Sequence, residues 1–173
     1  MNKQEIKKKR MYFKNVDAIK YVKYIKIISI VLILLILLYT GLLSVMLNQP
    51  LSEVVSKNMS VVSGFIMAMA SLFNYFLADQ YIKDFSEYKN VEGNRFKLLV
   101  ITVFSACFLN FITMALGIVA LNKIYKWKDY FSFGNMMQGL KKEGQLGICI
   151  TVFVIFAVLF ILETTIGSLV LRY

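Results

Sequence analysis

An all-α polytopic membrane protein, with four transmembrane helices in a bundle, is the fold class predicted here, on three observations. Of the 173 residues, 58% are hydrophobic and 17% are charged, where a soluble domain carries about 25%. The apolar residues gather into uncharged runs, and a helix crosses a bilayer core about 30 Å thick in roughly 20 residues. The polar residues gather between those runs, so too little polar surface remains to coat a soluble core.

The first run, 27–47, is almost pure Ile, Leu and Val in its first half. Its length exceeds the roughly 7–15 apolar residues of a secretory signal, its basic flank is long and no A-x-A site follows, so an anchor is expected. The second run, 59–78, is rich in Met, Ser and Phe. The third covers 98–121. The fourth, 145–171, is broken once, by Glu163. The chain thus divides into a basic juxtamembrane segment, 1–26, and a four-helix membrane domain, 27–171.

Orientation follows from the bases, since Lys and Arg favour the cytoplasmic side. Of 20 Lys and Arg, nine precede the first run; Lys57 stands alone in the first link. With four crossings and an internal N-terminus, 14 of the 20 fall inside, so both termini are expected in the cytoplasm. Five cations on the third link, Lys123, Lys126, Lys128, Lys141 and Lys142, then face outward against the rule. Within 4–26, Tyr12, Val16, Ile19 and Val22 share one side of a helix, so this segment can also lie on anionic lipid. Its cations run straight into a membrane anchor, which argues against a nucleic-acid partner.

The link 79–97 alternates acids and bases and reads as a solvated turn. The third link is more specific. Ser132 can cap a helix that places Phe133, Met136, Met137 and Leu140 on one face, and Gly144 can stop it. Tyr125, Trp127, Tyr130 and Phe131 form an aromatic cluster of the interfacial type. The segment 125–143 is therefore expected as an amphipathic helix on the outer membrane surface. Trp127, Phe133, Met136, Met137 and Leu140 would there meet lipid, a peptide or a partner helix.

Helices in lipid associate through small and weakly polar residues. Ser60, Gly64, Met67, Ser71, Asn74 and Ala78 form one such stripe, and Ala106, Asn110, Thr113, Gly117 and Ala120 form another. Glu163 is the one ionisable residue inside a run, some five residues past its midpoint and so toward the expected cytoplasmic side. Such a group is a functional candidate. With Thr164 beside it and Asn74 and Asn110 across the bundle, it defines a candidate polar site. Cys107 and Cys149 are expected at different depths, about 18 Å apart and beyond disulfide reach.

Catalytic chemistry finds little support in these residue types. There is no histidine for a Ser-His dyad or a His-bearing metal site, and no nucleotide-binding glycine loop. No cofactor and no metal are expected. A Lys:Arg ratio of 17:3 with abundant Ile and Asn points to an A/T-rich genome and a bacterial cytoplasmic membrane. The resulting expectation is a non-enzymatic accessory or immunity-type subunit that binds another membrane protein, a peptide or a second copy. The alternative is a small oligomeric transporter that uses Glu163.

Overall fold

The computed structural model describes residues 19–87, 89–124 and 133–170 and, among these, contains helices and no strands. Its elements are α1 (Ile19–Leu47), α2 (Leu51–Lys57), α3 (Met59–Ser86), α4 (Val91–Cys107), α5 (Phe111–Ile124), α6 (Phe133–Lys142) and α7 (Leu146–Val170). Three of them, α1, α3 and α7, are long and apolar enough to cross a membrane.

The third apolar stretch is where the four-crossing expectation fails to appear. It is split into α4 and α5 by the short break Phe108–Asn110. The two helices fold back against each other, as the approach of Gly117 to Thr102 shows: a Cβ on Gly117 would collide with Thr102 Oγ1. The break sits about halfway along the bundle. Its neighbours are Leu32 and Ile36 of α1 and Met67 and Ser71 of α3, and Phe108 packs edge-on against Phe160 of α7 at 6.3 Å.

One end of the bundle is tied by polar contacts among α1, α3, α4, α5 and the segment just past α6. Lys26 Nζ donates to Asp79 at 2.7 Å, joining the base of α1 to α3. Lys123 Nζ donates to the Tyr21 hydroxyl at 2.9 Å, returning the end of α5 to the base of α1. The buried Lys97 ammonium donates to Asp84 at 2.9 Å, joining α4 to α3. Glu143, just past α6, accepts the backbone N–H groups of Glu92 and Gly93 at 3.1 and 2.9 Å. A carboxylate suits that place, because the first N–H groups of α4 carry the positive end of the helix dipole. In the adjoining exposed link, the Lys89 ammonium holds the Glu87 carboxyl below its ordinary value.

The core fills this same half. Val22, Ile25, Tyr81, Leu98, Ile101 and Ala120 are fully buried together. Phe156 fastens α7, stacked on Phe104 at 4.9 Å and edge-on to Phe73 at 6.0 Å. Beyond the break the bundle thins to α1, α3 and α7 with the short α2 between the first two, and Leu38, Leu42 and Met46 stand 63–80% exposed on α1. Such bare apolar surface is ordinary where lipid is the solvent.

Several expectations shift accordingly. Helix α1 is described from Ile19, eight residues before the apolar run, and buries Val22, expected on a lipid surface, together with Ile25. The residues 1–18, with Tyr12 and Val16, and the aromatic cluster with Trp127 lie outside the described residues. Helix α6 is closed by Gly144 at φ +68°, yet it lies at the charged end. Its Met136 and Leu140 are buried against Phe96, Leu99, Leu146 and Cys149. Both cysteines are free thiols; Cys149 is buried and Cys107 is exposed.

The hairpin's closeness yields a stability prediction. Gly117→Ala forces its new methyl onto Thr102 and should cost about 1–3 kcal/mol by overpacking. Adding Thr102→Ala should restore most of the loss, read as the thermal midpoint in detergent.

Candidate functional site

The break between α4 and α5 ends in a defined turn. Leu109 N–H donates to Ala106 C=O at 3.1 Å and Asn110 N–H to Ser105 C=O at 2.8 Å, the paired bonds of a Schellman motif. That motif needs a left-handed residue, and Leu109 supplies it at φ +55°. Glycine is the usual occupant, because a side chain there costs roughly 1–2 kcal/mol. Asn110 then starts α5, with its side-chain Oδ1 accepting from Thr113 N–H at 3.2 Å. Its place in the sequence stripe is thus explained by helix capping.

Around this turn lies a cavity of about 340 Å³ bounded by α1, α3 and the hairpin tip. Its wall is apolar apart from Ser71, Asn74, Ser105 and Asn110, and it carries no charged side chain. Asn74 is 3% exposed. Its Nδ2 donates to Ser105 Oγ at 3.4 Å, while its Oδ1 has no hydrogen-bond partner. An unpaired buried amide oxygen costs about 1–3 kcal/mol. Leu109, Phe111 and Ile112 at the mouth are exposed.

Of the four residues expected to form one polar site, two meet here. Asn74 and Asn110 line the same cavity. Glu163 does not join them. It accepts a hydrogen bond from the Ser63 hydroxyl at the far end of α3, eleven residues from Asn74 and so about 16 Å along the helix. That end is opposite the charged one. The second carboxyl oxygen of Glu163, Oε2, is shielded and without a partner. Thr164 is exposed, and its hydroxyl donates to the Ile161 carbonyl of its own helix.

The expected outer binding face fares differently. Met136 and Leu140 are covered by the chain itself, and Met137 packs beside them. The side chains of Phe133 and Trp127 lie outside the described residues. Ser71 stood in the same sequence stripe as Asn74, whereas Ser105 and Leu109 were not anticipated from the residues. The available signal was indirect: five cations beyond the third stretch, which a chain that turns back leaves on the side where it began. Comparison with protein-family models, curated proteins and solved structures finds no match to this chain.

The capping role of Asn110 is checkable. Asn110→Ala should lower stability by about 1 kcal/mol, whereas Asn110→Ser, which keeps a capping oxygen, should retain most of it. Thermal unfolding in detergent separates the two.

Proposed function

We propose that this chain is an integral protein of a bacterial cytoplasmic membrane, acting without catalysis as an accessory or immunity-type subunit. Its partner is another membrane protein or a membrane-active peptide. The observation that carries this reading is Glu163. It stands about 26 Å along α7 from Leu146, in an apolar helix, with Ser63 on one oxygen and nothing on the shielded other. A carboxyl in that setting is retained for a partner, since an intramembrane polar group without one is costly. Its flank is open: Ile161, Leu162, Thr164 and Thr165 around it are exposed. A helix or peptide that offers a donor to Oε2 would complete the site. A permeation route through Glu163, Asn74 and Asn110 is less favoured, because the three do not share a cavity.

The orientation we propose puts the charged end in the cytoplasm. By chain connectivity all Lys and Arg except Lys57 and Arg172 then belong to that side, as the positive-inside rule favours. Helix α7 runs outward, so its end lies opposite the start of α1. The earlier placement of both termini inside rested on a fourth crossing.

Two experiments follow. Purification from native membranes in mild detergent should yield a second polypeptide, and Glu163→Ala should reduce its recovery about tenfold while the thermal midpoint holds. A wild-type protein that is strictly monomeric and partnerless, or a Glu163→Ala protein that co-purifies normally, refutes the reading. For orientation, a Cys107→Ser, Cys149→Ser background carries single cysteines for an impermeant maleimide. Lys57→Cys should react in intact cells, and Lys142→Cys only after permeabilisation. Four crossings would make Lys142→Cys react from outside.

A further inference from the structure

We propose that the cavity at the hairpin tip binds a slender, neutral, membrane-soluble alcohol. The ligand is one alkyl or isoprenoid chain ending in a hydroxyl that donates to Oδ1 of Asn74. This site is separate from Glu163 and does not rest on the partner proposed for it.

The chemistry of the wall selects the class. Asn74 is more than nine-tenths buried, lines the cavity and keeps its Oδ1 unpaired. An acceptor in hydrocarbon surroundings calls for a donor, because water is scarce there and an unmet polar group is expensive. The wall holds no charge, so a phosphate, an ammonium or a carboxylate would go unmatched. The donor is therefore neutral.

Size sets the shape. A volume of about 340 Å³ is at the small end of ligand pockets. A transmembrane helix, about 10 Å across with its side chains, does not fit, whereas a single hydrocarbon chain does. The cavity opens at half depth between Ile36 of α1 and the exposed Leu109 and Ile112, so a ligand dissolved in the hydrocarbon reaches it sideways. Leu109 adds an independent sign. A leucine held at φ +55° where glycine would sit without strain is an apolar side chain kept at the mouth despite its backbone cost, and such outliers cluster at binding sites.

The test uses the full chain reconstituted in phosphatidylcholine–phosphatidylglycerol vesicles. Two photoreactive probes of equal length are compared, a diazirine-bearing hexadecanol and its methyl ether, which lacks the donor. The alcohol should label segments 67–74 or 105–112 about fivefold more than the ether, the scale of one neutral hydrogen bond. Unlabelled hexadecanol should compete, and unlabelled hexadecane should not. Asn74→Leu should remove the preference for the alcohol at an unchanged thermal midpoint. Equal labelling by both probes in the wild type overturns the proposal, as does a preference that survives Asn74→Leu. If Asn74→Leu melts early, the wild-type competition alone decides: displacement by hexadecane as strong as by hexadecanol overturns it. A second polypeptide cross-linked from a photoreactive residue at position 109, in place of the probe, also overturns it.

Discussion

A chain that reverses inside a bilayer has no water to satisfy the backbone it exposes at the turn, and that constraint governs this molecule. The α4–α5 turn meets it with its own atoms: the carbonyls of Phe104, Ser105 and Ala106 accept the N–H groups of Phe108, Asn110 and Leu109. The Asn110 side chain takes one more, from Thr113. Each of these groups would cost several kcal/mol if left bare in hydrocarbon. The left-handed Leu109 is the residue that allows the set to close. The core beside the charged end, the shared polar contacts there and the cavity at the hairpin tip all depend on that closure.

Once the hairpin turns back, the rest of the packing follows. Gly117 lets α5 lie close on α4, and Lys123 brings its end to Tyr21 at the foot of α1. The same geometry gathers Asp79, Asp84, Glu92 and Glu143 near the bases they hold or the helix end they cap. Lys97 and Arg95 can be buried there because a carboxylate lies beside each. An unpaired charge at such a place would be strongly destabilising. The other half of the bundle keeps, among the described residues, the three long helices and the short α2.

The sequence made the membrane setting plain, because long uncharged runs have no soluble explanation. Helices α1, α3 and α7 fall on three of the four apolar runs. What hydropathy does not distinguish is a crossing from a return, since both are apolar throughout. Residues 98–121 show no proline or glycine at the break; the turn is made by Phe108, Leu109 and Asn110, of which only Asn110 favours it. Asn74 and Asn110 could be selected as polar residues on facing stripes. That Asn110 is spent on a helix cap while Asn74 keeps an oxygen free depends on a fold-back that leaves no periodic trace. Glu163 was equally visible, but the side expected for it assumed four crossings, and nothing in the residues pointed to the Ser63 hydroxyl beside it. Met136 and Leu140 had the right spacing for an amphipathic face, and spacing does not say what covers that face.

The half-depth hairpin also changes how such a protein would enter a membrane. On the proposed orientation, α4 and α5 slide in from the cytoplasmic side and return to it, carrying Lys97 and Lys123 no farther than the surface. The interhelical link that must be moved through the bilayer is 48–58, with Glu53 and Lys57 paired at 3.6 Å and no net charge. Nearly all of the cationic load stays where it is synthesised. Apart from the outward end of α7, assembly then takes one short, neutral translocation between α1 and α3, and the hairpin can seat itself afterward against two helices already in place.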